Sequence, residues 1–135
     1  MWYIVGLFTV HAELNVPQAA TVEAQLVAGY KEYCSIASQE ERTALLEKLA
    51  AVDFDLRKST SVAVFIHCST LVAVQFLNRS LEDGTLKCVL EGVFSMLLKG
   101  QRCEIRELRC SVANYNSCLN YFYKSLGLFF STFNL

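Results

Sequence analysis

Two short stretches in the middle of the chain alternate along their length and lie only a few residues apart. Phe54-Asp55-Leu56-Arg57 is apolar at every second position, as a half-buried strand is. After a polar break at Lys58-Ser59-Thr60, the run Val62–Cys68 puts Val62, Val64, Ile66 and Cys68 on one face. Ala63, Phe65 and His67 fall on the other. Strands joined by so short a loop pair as an antiparallel hairpin. The rest of the chain must be arranged around that pair. With 135 residues there is room for one domain with a real core and not for two ordinary ones.

The flanking segments supply the other elements. Trp2–Val10 is rich in β-branched and aromatic residues and reads as a buried strand. Asn15-Val16-Pro17 marks a helix start, followed by a stripe of Val22, Leu26, Tyr30 and Tyr33 or Cys34. Ser38 and Glu41 have capping-box spacing, which predicts a second helix with Leu45, Leu46, Leu49 and Val52 inward. Thr70–Leu81 reads as a helix that breaks at Asp83-Gly84, with Thr85 capping the next. That next helix, Leu86–Leu98, has Leu86, Val89, Leu90, Val93, Phe94 and Leu97 three and four apart. Arg102–Cys110 reads as a charged edge strand, bulged because its apolar phase shifts after Ile105. Asn114–Ser125 reads as a final helix with Tyr115, Cys118, Leu119 and Phe122 on one side.

This order predicts an α+β fold. It is an α-β sandwich whose four-stranded antiparallel sheet has the split β-α-β-β-α-β, ferredoxin-like arrangement, with additional helices. Residues 1–125 form a single interaction domain in this reading, and 126–135 an apolar C-terminal tail containing Leu128, Phe129, Phe130 and Phe133.

Charge and motifs narrow the function. The net charge is −1, and the strands at Trp2–Val10 and Val62–Cys68 contain no Lys or Arg, which argues against nucleic acid. The longest uncharged run, Ser59–Asn78, is too rich in Ser, Thr, His and Gln for a membrane span. The six cysteines form no C-x-x-C pair and fall on apolar faces. With no basic leader before Met1–Ala12, they read as reduced core thiols of a cytoplasmic protein. No zinc-type spacing, G-x-G-x-x-G or Walker pattern implies a metal or cofactor. His67 and Cys68 are neighbours on opposite faces of a strand, so they form no simple dyad. Cys68 working with a histidine brought from elsewhere, such as His11, is the enzymatic alternative.

The mean hydropathy of +0.32 is high for a small domain. Both faces of the first strand are apolar: Trp2, Ile4, Phe8 and Val10 on one, Tyr3, Val5, Leu7 and Thr9 on the other. One face covers helices, and the other is either covered by the terminal helix or left for a partner. The candidate anchors are Phe8, Phe65 and His67, with the charges of Arg102–Arg109 as a polar rim. Pairing of the apolar faces with a second copy of the chain is a further alternative.

The stretch Ser61–Cys68, then Phe76-Leu77, Asp83-Gly84-Thr85-Leu86, Leu90 and Glu104–Arg109, resembles the N-terminal domain of the tumour-necrosis-factor-receptor-associated death-domain adaptors. The likeness spans roughly residues 54–122 and rests on spacing and residue type. It implies an α-β sandwich in a cytoplasmic, non-enzymatic adaptor of death-receptor and apoptosis signalling. Such a module binds TRAF-type proteins through exposed sheet and loop residues. By position Phe8 matches an aromatic of that partner surface, and Gly6 stands where a second would be expected.

Overall fold

Alternation of burial along the first strand sets the architecture. In the computed structural model, which describes residues 7–49, 51, 53–58 and 60–133, β1 (Leu7–Leu14) buries Phe8, Val10, Ala12 and Leu14 and leaves the intervening residues partly exposed. The chain continues through α1 (Ala19–Ile36), α2 (Gln39–Leu45), a single 3-10 turn (Glu47–Leu49), β2 (Asp53–Lys58) and β3 (Val62–His67). It ends with α3 (Leu71–Asp83), α4 (Thr85–Leu97), β4 (Ile105–Arg109) and α5 (Val112–Phe133). Among the described residues four strands form one sheet in the order β2-β3-β1-β4, and every neighbouring pair is antiparallel. The molecule is therefore α+β, with the expected hairpin formed by β2 and β3.

Local signals explain most boundaries. The capping box forms at α2: the Ser38 hydroxyl accepts from the Glu41 N–H, and the Glu41 carboxylate accepts from the Ser38 N–H. Thr70 caps α3 by accepting from the Ala73 N–H at 3.1 Å. Gly84, at φ 88°, both ends α3 and begins α4, a left-handed conformation that glycine adopts without strain. Asp83 accepts from the Thr85 N–H at 2.9 Å, and its bonds to Thr85 hold its carboxyl below the usual range. The bulge expected in the charged strand is present: Glu13 pairs with Glu107 and Leu14 with Ile105, so Arg106 is the extra residue.

Some bounds differ from the sequence reading. β1 runs four residues past Val10, and α5 starts before Asn114 and continues through the stretch read as a tail, to Phe133. Trp2, Tyr3, Ile4, Val5 and Gly6 lie outside the described residues.

The core lies between one sheet face and the helices. Phe8, Ile66 and Phe54 stand side by side across three strands, as do Val10, Val64 and Leu56. They join one apolar cluster with Val22, Leu26 and Tyr30 of α1, Val74 and Leu77 of α3, Leu86, Leu90 and Phe94 of α4, and Cys118 of α5. Tyr30 packs against Phe54 with its ring tilted and the centroids 5.2 Å apart, and its hydroxyl donates to the Phe54 carbonyl at 2.5 Å. That bond closes one outward-facing group of the β2 edge. Glu23, buried on α1, accepts from Lys58 at 3.1 Å. An unpaired buried carboxylate is costly, so this pair fixes α1 to the end of β2.

α5 is held by an unusual rung. β4 stops at Arg109, opposite His11, and leaves the beginning of β1 without a strand on that side. The Asn114 side chain fills the gap: its Oδ1 accepts from the Thr9 N–H at 2.9 Å, and its Nδ2 donates to the Leu7 carbonyl at 3.0 Å. A carboxamide has the donor and acceptor of a peptide group, so one side chain continues the ladder. The same docking brings Tyr115 edge-on to Phe8, with centroids 6.4 Å apart.

Candidate functional site

Because the helices share one face of the sheet, the other face is uncovered among the described residues. Cross-strand register divides it into rows. Asp53, His67 and Leu7 form the first, and Asp55, Phe65 and Thr9 the second. Arg57, Ala63, His11 and Arg109 form the third, and Glu13 with Glu107 the fourth. Phe65 sits near the centre, half-buried. The Arg57 guanidinium lies over its ring, 5.6 Å from the centroid, and pairs with Asp55 at 3.0 Å. Asp53 is 3.4 Å from Arg42 and also accepts from the Phe54 N–H at 2.8 Å. Glu107 with Arg109, and Glu13 with Arg106, complete a set of ion pairs within the chain. Leu7, Asp53, Asp55, Arg57, Phe65 and His67 line a shallow depression of about 230 Å³.

Of the three expected anchors, Phe65 and His67 lie together on this open face. Phe8 does not. It is fully buried against Tyr115 on the opposite face, because its register partners Ile66 and Phe54 point into the core. The open face also corrects the expectation of an apolar one. Its apolar side chains among the described residues are Leu7, Ala63 and Phe65, set among charges. Asp53, Asp55 and Arg57 were not singled out from sequence. The alternation of Phe54 and Leu56 with polar neighbours carried the signal, but only the pairing of β2 with β3 sets those neighbours beside Phe65.

No family model, curated protein or solved structure matches this chain.

The cysteines differ in burial. Cys68, Cys103 and Cys118 are buried, and no described cysteine is in a disulfide. Burial, with Cys118 nearby, pushes the Cys68 thiol up to about 12. Burial likewise pushes Cys110 and Cys118 up to about 11 each. A nucleophilic cysteine needs the opposite shift. Alkylation at neutral pH should therefore mark the exposed Cys88 first, with Cys68 and Cys118 at least about tenfold slower. Peptide mapping of a brief iodoacetamide pulse tests this, and equal labelling of Cys68 would restore it as a nucleophile.

Among the described residues there is no His, Cys, Asp and Glu cluster suited to a metal ion, and no helix long and apolar enough to cross a membrane. A second hollow, of about 430 Å³, runs between α2 and α4 over Leu45, Val89, Gly92 and Met96.

Proposed function

We propose that the chain is a non-enzymatic protein-interaction module of the cytoplasmic adaptor kind, which receives a protein partner on its open sheet face. The observation that carries this is Phe65: an aromatic side chain near the centre of an uncovered sheet, ringed by charges. Interfaces commonly join a few aromatic anchors to a polar rim. His67, Arg57, Asp53 and Asp55 supply that rim here. The strand order β2-β3-β1-β4 supports reading the sheet as the split β-α-β-β-α-β, ferredoxin-like type with extra helices. Resemblance to the death-domain adaptors suggests TRAF-type proteins of apoptosis signalling as the partner class, with Phe65 taking the part first given to Phe8.

The enzymatic alternative has little support, since its nucleophile, Cys68, is buried with a raised pKa.

Phe65→Ala should weaken partner binding by about 2 kcal/mol, roughly 30-fold in Kd, and Phe65→Asp should abolish it. The far-ultraviolet circular dichroism of both variants should match that of the parent. A binding titration against TRAF-type domains, or against proteins captured by the parent chain, provides the readout. Unchanged affinity in a folded Phe65→Asp variant would remove the open face from consideration.

A further inference from the structure

We infer that the partner accepted by the open face is a second copy of this chain, docked face to face about a two-fold axis that crosses the strands between Phe65 and Ala63. This rests on the interaction-module reading of the face and puts the chain itself in the place of a TRAF-type partner. Residues two apart on a strand share a face and are about 6.6 Å apart along it. A two-fold axis at right angles to the strands, midway between two such rows, lays each row over the other row of the second copy. Here the Asp55, Phe65 and Thr9 row meets Arg57, Ala63 and His11.

Each contact then occurs twice, as an isologous interface requires, and each is complementary. The Asp55 carboxylate faces the guanidinium of Arg57 in the other copy. Both side chains are well exposed, at 41% and 58%, so each can reach a charge on the second copy besides the Asp55–Arg57 pair within its own chain. Phe65, the largest apolar side chain described on the face, reaches towards Ala63, the smallest, with Arg57 of its own chain still against its ring. Ala63 lies at the floor with 4% of its surface exposed. The Thr9 hydroxyl, which donates to the Leu7 carbonyl at 3.3 Å, keeps acceptor capacity for the His11 ring. The remaining rows fall at the rim, where water reaches Leu7 and Glu13. Turning the axis parallel to the strands instead sets Arg57 over Arg109, two like charges. Of these two orientations, charge favours the crossing one.

The test is multi-angle light scattering of the full chain over a range of concentrations, with charge-reversal variants. The parent should be a dimer. Asp55→Arg and Arg57→Asp should each weaken it at least about tenfold, because each sets like charges across the axis. Mixing these two single variants should restore a dimer, since each then faces its opposite charge. The double reversal should dimerise like the parent. If a reversal disturbs folding, Asp55→Asn and Arg57→Gln serve as neutral variants, each expected to weaken the dimer, with partial rescue on mixing because one of the two Asp55–Arg57 pairs re-forms. A parent that stays monomeric overturns the inference. If Phe65→Asp nevertheless loses a captured protein, the interaction-module reading survives with a different partner. A dimer indifferent to the reversals, or singles that fail to rescue each other, also overturns the inference and assigns any dimer to another surface.

Discussion

Replacing Gly29 with alanine is expected to destabilise the chain by about 2 kcal/mol, although alanine is the better helix former by about 1 kcal/mol. Gly29 lies inside α1, where that helix meets the end of α4. A Cβ built there falls 2.5 Å from the Leu97 carbonyl oxygen and 3.4 Å from its carbon. The obstacle is backbone, so no rotamer change relieves it, and the two helices must separate. Overpacking of this kind costs about 3 kcal/mol, at the upper end of its usual range, and exceeds the propensity gain. Gly92 provides the control. It is also inside a helix, but a Cβ there meets nothing within 4 Å. Gly92→Ala should therefore stabilise by about 0.5–1 kcal/mol. Urea midpoints of the two variants should move in opposite directions. A stabilised Gly29→Ala would mean that α1 and α4 are not in close contact at Leu97.

Asn114→Ala should cost about 1–3 kcal/mol, since it strands a partly buried donor and weakens the pairing of an acceptor. The Thr9 N–H loses its acceptor, and the Leu7 carbonyl keeps only the bond from the Thr9 hydroxyl at 3.3 Å. The loss should have a local signature as well as a global one. Amide exchange at Thr9 should accelerate more than at Phe8, whose side of the ladder faces β3. A change below about 0.5 kcal/mol with Thr9 still protected would show that packing of Tyr115 and Cys118 alone holds α5 in place.

What the sequence made legible was what depends on near neighbours. The Ser38 and Glu41 box, the stripe of α4, the β2-β3 hairpin and the bulge near Ile105 each lie within a few residues of one another, and each is present. What it concealed depends on distant pairing. Both faces of the first strand are apolar, so alternation alone did not say which one meets the helices. Neither that alternation nor the positional match of Phe8 to the resembled partner surface shows what its pairing with Ile66 does, which is to turn Phe8 into the core. Phe65 and His67 were legible as one face of β3, but their companions Asp53, Asp55 and Arg57 come from another strand. The Asn114 rung had no sequence signature, because its partners precede it by 105 and 107 residues.

That separation has a consequence for how the chain is made. The first described strand, β1, lies inside the sheet, between partners that appear at residues 62–67 and 105–109. A nascent chain can close the β2-β3 hairpin and add β1 to it while α3 and α4 are still to come. Until β4 and Asn114 emerge, the far side of β1 has unmet N–H and carbonyl groups, a template for the wrong chain. Closing loops of this length makes folding slow relative to a helical bundle of equal size. A chain truncated just before Ile105 should therefore be the form of this protein most prone to aggregate, and one that retains β4 and Asn114 should escape that hazard.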